Sequence, residues 1–274
     1  MRTFCPNNLE ELLSYNNSIR RDGLSPYLAF FRGQINDWQI KPSITRNTAL
    51  SDEDILKIEK SFFSEYNEEK LGIKVLDHFD KGTMKYAQDW HNLFQAQHLG
   101  FYTRLTDWTQ DFNSAMFFSI DDETQQYIEN EGVIYVYECP YYGDQLINFQ
   151  RDEDYHFLNN NPFELDKAYM VKHATQFPDD FENYAGEIRR FRQDGSFIIS
   201  TSQSINQPIE EIPYINQYLT KIIISPSLKK EISEYLDDGM KEYIYFASPE
   251  NNEEEVQRIR KITSESNNKN YWQK

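Results

Sequence analysis

The apolar positions of this chain follow two spacings, one typical of strands and one typical of helices. Short runs of β-branched and aromatic residues predict strands at 28–32, 133–138, 197–200, 221–224 and 243–246. Apolar residues three or four positions apart predict helices in 9–19, after Ser51, over about 84–98 and over 111–119. The pattern therefore predicts an α+β fold, a single mixed domain with a central sheet and surrounding helices.

Boundary residues support several of these helices. Ser51 precedes three acidic residues, which favour a helix N-terminus, and Ser225-Pro226 is an N-cap followed by proline at the first helical position. The last third therefore predicts a C-terminal strand–helix–strand unit. We expect an N-terminal helix and loop over 1–27, one domain over 28–250 and a polar tail over 251–274.

Composition narrows the function classes. The net charge is −17, from 45 acidic against 28 basic residues, and a surface of this sign repels nucleic-acid phosphates, which argues against non-specific nucleic-acid binding. Cys5 and Cys139 have no metal-ligand spacing, and no zinc motif or P-loop is found, so no metal is expected. No run approaches 18 apolar residues and no signal-peptide core opens the chain, so we expect a cytoplasmic protein without a membrane partner.

Arg32 ends the first apolar run and is followed by Gly33. A guanidinium beside Phe30 and Phe31 must reach solvent or an anionic partner, which is a ligand or a structural carboxylate. Gly33 would allow a ligand to approach the backbone closely. Arg32 and Gly33 are therefore candidate binding residues.

The segment 97–109 concentrates polar chemistry in few positions. His98 would lie in the last turn of a helix, where it could bind phosphate, act as a general acid or base, or cap the helix. Arg104 could bind an anion or form a structural pair with Asp107, which in turn could cap the helix that follows. We expect Arg32 and Arg104 to converge on one pocket.

A third cluster joins Arg189, Arg190 and Arg192 to Gln193. These arginines could line an anion site, or they could only neutralise nearby carboxylates.

The combined motifs resemble the FRG-domain family of bacterial and phage proteins, which takes its name from a Phe-Arg-Gly motif. Phe31-Arg32-Gly33-Gln34 with Trp38 and 42–46 is similar to the family's opening signature. Gln97-His98, Gly100, 103–109 and the small apolar helix after it are similar to the second signature. Arg192-Gln193 with Gly195 and Phe197 is similar to a late element. The resemblance implies a toxin or defence effector.

A second resemblance connects Phe-Arg-Gly on a first strand with the arginine strand of ADP-ribosyltransferases. It implies a split central sheet and NAD as substrate, with Arg32 and Arg104 on the phosphates and His98 or Asp107 orienting the ribose or the acceptor. Gln193 would take the place of the usual catalytic glutamate, although an amide cannot act as a base. A rival match to the serine-rich and glutamate elements is 200–204 followed by Glu210-Glu211.

The resulting prediction is a toxin or anti-phage enzyme that transfers ADP-ribose or cleaves NAD, with a macromolecular acceptor and an antitoxin or phage trigger as further partners. The expected catalytic residues are Arg32, His98, Arg104, Asp107 and Gln193. The expected NAD-binding residues are Arg32, Gly33, Gln97, Thr103, Arg104 and Thr109. The alternatives are a metal-independent nuclease or phosphoryl-transfer toxin, and a non-enzymatic module that senses a nucleotide or a phage protein.

Overall fold

The computed structural model of the chain describes residues 1–20, 26–46, 50–65, 85–98, 101–122, 124–148, 152–172, 195–236 and 261. Within these ranges the helices are α1 (Leu9–Arg20), α2 (Asp52–Glu65), α3 (Ala87–His98), α4 (Phe112–Ile120), α5 (Pro213–Asn216) and α6 (Pro226–Tyr235). The strands are β1 (Arg2–Phe4), β2 (Tyr27–Gln34), β3 (Leu105–Thr109), β4 (Gly132–Pro140), β5 (Leu146–Asn148), β6 (Tyr169–Lys172), β7 (Gly195–Ile199) and β8 (Leu219–Ile224). Short 3₁₀ helices lie at Ser43–Thr45, Asp152–Asn159, Pro162–Glu164 and Ile209–Glu211.

The eight strands of the described part form one mixed sheet in the order β1-β8-β4-β2-β3-β7-β6-β5. The two outermost pairs, β1 with β8 and β5 with β6, are parallel, and the other neighbours are antiparallel. The predicted α+β fold is confirmed. The edge strand β1 and the short strands β5 and β6 were not predicted, and the strand predicted at 243–246 lies outside the described residues.

Helices cover the sheet because its central strands are apolar on both faces. In β4 the first six residues are all buried, and the β-branched and aromatic character of residues 133–137 predicts this. One face packs on α1, α4 and α6 through Phe31, Ile134 and Ile222. The opposite face packs the same strands on the 209–215 segment through Phe30, Tyr135 and Ile209. Each such buried side chain stabilises the fold by roughly 1.5–3 kcal/mol.

The alternation along β2 decides where its polar end points. Phe30 and Phe31 lie in the clusters on opposite faces, so Arg32 follows Phe30 towards the 209–211 side and Gly33 follows Phe31 towards α4. Arg32 pairs directly with Tyr135 of β4. The fold thus carries one charged side chain to the end of a strand at the centre of the sheet.

Candidate functional site

The guanidinium of Arg32 bridges the ends of two strands. Its Nη1 donates to the main-chain oxygen of Asp107 on β3, at 2.6 Å, and its Nε donates to Oε1 of Gln34 at 3.2 Å. The side chain is partly buried, and Nη2 makes no hydrogen bond within the part of the chain that the structure describes. One edge of a fixed guanidinium is therefore open to a partner.

The surroundings of Arg32 favour an anionic partner. Burial, together with the positive charge of Arg46, lowers the pKa of Arg32 to about 10, while interactions with Asp107, Tyr135 and Glu210 act in the opposite direction. The side chain remains protonated at neutral pH. The positive charges of Arg32 and Arg46 repel each other, and a bound anion would relieve that repulsion.

Arg46 follows the 3₁₀ helix Ser43–Thr45 and donates from Nε to the main-chain oxygen of Lys41, at 3.1 Å. Its side chain is exposed. Arg46, and not Arg104, is therefore the second arginine whose charge acts on Arg32.

A chain of hydrogen bonds holds the Asp107 carboxylate. Nε2 of Gln97 donates to both carboxylate oxygens of Asp107, at 2.9 Å each, and Oε1 of Gln97 accepts from the hydroxyl of Thr103. Asp107 is exposed while Thr103 is fully buried. Residues 97–109 thus fix the carboxylate of Asp107 at the surface, and the main-chain carbonyl of the same residue accepts from Arg32.

Arg104 lies in a different environment from Arg32. It is fully buried, and its Nε pairs with Oε2 of Glu59 on α2 at 2.6 Å. Its terminal nitrogens donate to the main-chain oxygens of Ser200, at 3.1 Å, and of Pro162. The expectation that Arg104 binds a ligand phosphate does not fit this geometry, since Arg104 has no accessible surface. It supports the fold and pairs with Glu59, not with Asp107.

Three further expectations change with the geometry around α4. A Cβ atom on Gly33 would lie 2.0 Å from the main-chain oxygen of Ala115, so Gly33 admits a helix backbone and not a ligand. The N-cap of α4 is Asp111, whose carboxylate accepts from the amides of Asn113 and Ser114, so Asp107 is not the cap. The hydroxyl of Thr109 accepts from the Asp111 amide at 2.9 Å, which fixes the turn between β3 and α4.

The two remaining candidates are less completely placed. His98 is the last residue of α3, in the last helical turn as predicted. Gln193 and the arginine cluster at 189–192 lie outside the described residues. Both expectations stay predictions.

Glu210 is the acidic residue that the primary prediction missed. It lies in the 3₁₀ helix Ile209–Glu211, and its carboxylate accepts from the amide of Ile40 at 3.0 and 3.2 Å. Desolvation raises the pKa of Glu210, and its charge acts on both Arg32 and Tyr135. The available signal was an acidic residue inside the apolar frame of Pro208, Ile209 and Ile212.

The serine-rich segment of the rival match, residues 200–204, provides hydrogen-bond acceptors for Arg104. The main-chain oxygen of Ser200 and the hydroxyl of Ser202 both accept from Arg104, and the same hydroxyl accepts from the amide of Leu165. These serines therefore support the buried arginine. Of the rival match, only Glu210 belongs to the surroundings of Arg32.

The arrangement combines an open guanidinium, a second arginine and two carboxylates of different kinds. Arg32 and Arg46 are suited to a phosphate, because arginine presents paired donors to anionic oxygens. Asp107 is held at the surface by Gln97, whereas Glu210 is partly desolvated and nearer to protonation. Such a set can bind a phosphorylated ligand and stabilise positive charge that develops on it.

Within the described ranges no group of three or more histidine, cysteine, aspartate or glutamate residues could hold a metal ion. Among the same residues no helix has both the length and the apolar character needed to cross a membrane.

Comparison with known proteins supports the first of the two resemblances. The family model described as FRG domain matches residues 28–127, which include Arg32, Gln97, Arg104 and Asp107 but not Glu210. No curated protein and no solved structure matches the chain. The match ends before β4, although β4 is the neighbour of β2 in the sheet. The match at residues 28–127 supports the resemblance to the FRG-domain family.

Proposed function

We propose that this protein binds NAD at Arg32 and breaks the bond between nicotinamide and ribose, releasing ADP-ribose or transferring it to an acceptor. The observation that carries the proposal is the partly buried Arg32, with Nη2 open, near Arg46 and within electrostatic range of Asp107 and Glu210. The NAD pyrophosphate carries two negative charges and would neutralise the two arginines.

The carboxylates supply the remaining chemistry. Cleavage of the glycosidic bond leaves the electron pair on nicotinamide, which departs neutral, and leaves an oxocarbenium-like ribose that a nearby carboxylate stabilises. Water or a nucleophile of the acceptor then bonds to the ribose carbon and loses a proton. With water, NAD⁺ and H₂O give ADP-ribose, nicotinamide and H⁺.

Glu210 suits the proton-accepting role because its raised pKa makes it a stronger base than an exposed carboxylate. Asp107 suits the positioning of a ribose hydroxyl, since Gln97 fixes its orientation. Gln193 was expected to replace the catalytic glutamate, and on this proposal Glu210 takes that part.

NAD turnover tests the proposal directly. The full chain is incubated with NAD, with and without cell extract, and nicotinamide, ADP-ribose and modified proteins are quantified by mass spectrometry. Arg32→Ala should weaken NAD binding by about tenfold or more, and Glu210→Gln should slow product formation by about 100-fold or more. Arg2→Ala is the matched control, because Arg2 is an exposed arginine at the edge of the sheet.

The outcomes separate the candidate functions. Absence of products from wild type in the presence of extract would overturn the enzymatic proposal. Binding that depends on Arg32 without any product would support the sensing module instead. Gln193→Ala in the same assay decides whether Gln193 shares the role given to Glu210.

We further propose that the activity is toxic to a host cell and serves as a toxin or in phage defence, in line with the resemblance to FRG effectors. Growth of cells that express wild type should stop, and Arg32→Ala should restore growth at equal protein levels. Arrest by both proteins would show that toxicity does not depend on this site.

A further inference from the structure

Trp38 presents an exposed indole on the loop that follows β2, the strand of Arg32. Its exposed fraction is 45%, whereas Trp90 and Trp108, the other described tryptophans, are at most 2% exposed. The edge of its ring meets Tyr127, with ring centroids 5.1 Å apart and an angle of 84° between the planes. One exposed aromatic residue is common on protein surfaces. Trp38 differs from a typical exposed aromatic residue because several side chains fix the loop that carries it.

Side chains from three elements fix the loop that carries Trp38. Nε2 of Gln34 donates to the main-chain oxygen of Trp38 at 2.8 Å, and Nζ of Lys221 on β8 pairs with the carboxylate of Asp37 at 2.6 Å. Lys229 on α6 is 5% exposed, and its Nζ donates to the main-chain oxygens of Ile35 and Tyr127, at 2.9 Å each. A buried lysine thus ties the two loops that present the aromatic pair.

Gln34 also connects this loop to Arg32. Its Oε1 accepts from Nε of Arg32, and its Nε2 donates to the carbonyl of Trp38. The hydroxyl of Tyr135, which pairs with Arg32 across the strands, donates to the same carbonyl at 3.5 Å. A single amide side chain therefore connects an open guanidinium to the main chain of the residue that carries the exposed indole.

We infer that Trp38, backed by Tyr127, is the ring-stacking subsite of the Arg32 site and takes the aromatic heterocycle of a phosphate-bearing nucleotide. This inference rests on the proposed function, in which Arg32 binds the phosphates of NAD. A guanidinium recognises phosphate and an exposed indole face recognises a flat ring, so a ligand that has both groups satisfies the pair. Preorganisation by Lys229 and Gln34 spares the ligand the entropic cost of ordering the loop.

The subsite is tested by calorimetric affinities for NAD of wild type, Trp38→Ala and Trp38→Phe. Stacking on an aromatic side chain predicts about five- to a hundredfold weaker binding for Trp38→Ala. Trp38→Phe should retain most of the affinity. Tyr142→Ala is the matched control, since Tyr142 is an aromatic residue that is 86% exposed on the β4–β5 connection, and it should bind as wild type does. Thermal unfolding of each variant separates a loss of affinity from a loss of fold.

Two fragments identify the ring. ADP-ribose lacks nicotinamide, and nicotinamide mononucleotide lacks adenine. The fragment that still loses affinity on Trp38→Ala carries the stacked ring. If neither fragment nor NAD responds to Trp38→Ala while Arg32→Ala weakens binding, the stacking inference is overturned and the phosphate site stands.

A second set of measurements distinguishes failure of the subsite from failure of the proposed NAD chemistry. If wild type does not bind NAD, ADP and GDP serve as probes of the subsite. Binding of either that Trp38→Ala weakens supports the stacking subsite without NAD chemistry. Binding that ignores Trp38, or no binding of any of the three nucleotides, overturns the subsite as well.

Discussion

Arg32 and Arg104 stand in similar sequence settings but in opposite physical environments. Arg32 lies near the end of β2 and Arg104 directly precedes β3 of the same sheet, and both lie within the region that the FRG model matches. Arg104 is fully buried, and Glu59 and main-chain oxygens occupy each nitrogen of its guanidinium. Arg32 is partly buried and leaves Nη2 open. The partners of an arginine, and not its sequence motif, decide whether its guanidinium is enclosed by the fold or open to a ligand.

The two environments differ in what they contribute to free energy. A buried ion pair costs much to desolvate, and its removal on one side leaves an unpaired charge in the interior. Burial lowers the pKa of the partly buried Arg32, so keeping its charge costs the folded state some stability. A bound anion would offset that cost. We therefore expect the fold to depend on Arg104 and to tolerate the loss of Arg32.

The largest expected effect follows from Glu59→Leu, which leaves Arg104 buried without its carboxylate. We expect a loss of about 3–5 kcal/mol in the free energy of unfolding. Arg32→Leu should change it by less than about 1 kcal/mol, because lost hydrogen bonds are offset by relief of desolvation. Urea denaturation measures both. Glu53→Leu, at an exposed position of the same helix, is the control, and equal losses for Glu59→Leu and Arg32→Leu would contradict the contrast.

Gly33→Ala sharpens the comparison within the Arg32 region. The added Cβ would meet the main-chain oxygen of Ala115 at 2.0 Å and the amide nitrogen of Ser119 at 2.8 Å. We expect α4 to shift, with a loss of about 1–3 kcal/mol or more. Gly143→Ala should cost less, since its nearest neighbour is a proline Cβ at 3.0 Å. Melting curves decide stability, and loss of NAD affinity at unchanged stability would restore the ligand-approach interpretation of Gly33.

The sequence predicted the central strands because residues buried on both faces must be apolar. It did not predict β1, whose Arg2 and Thr3 are exposed, because an edge strand of three residues leaves no hydrophobic pattern. Arg32, near the end of β2, was identified because a charged residue interrupts this apolar pattern. An arginine directly after two phenylalanines needs a partner or access to solvent, and this requirement can be read from the sequence.

Partners distant in the chain were not predictable in the same way. Glu59 lies 45 residues before Arg104, on a helix rich in acidic residues. Glu59 is four residues after the buried Ile55 and so lies on the core side of α2. This spacing does not identify Arg104 as its partner. The charge of Glu210 acts on Arg32 because the 209–215 segment packs on the sheet, and no local pattern encodes this proximity.

Glu210→Gln gives the smallest effect on stability and the sharpest test of the Arg32 region. Desolvation raises the pKa of Glu210 above its ordinary value of 4.5, so its ionised form costs the folded state free energy at neutral pH. The amide removes that cost and its oxygen still accepts from Ile40. We therefore expect the variant to unfold at a higher temperature than wild type at pH 7, by less than about 1 kcal/mol in free energy.

This difference should vanish below pH 4.5, where Glu210 is protonated in both the folded and the unfolded chain. Melting temperatures of both proteins between pH 4 and pH 7 provide the measurement. Glu211→Gln removes the same charge from an exposed neighbour and should change the melting temperature little at either pH. A Glu210→Gln variant less stable than wild type at pH 7 would mean that its carboxylate supports the fold, as Glu59 does. The contrast between the buried and the open arginine would then not extend to their acidic partners.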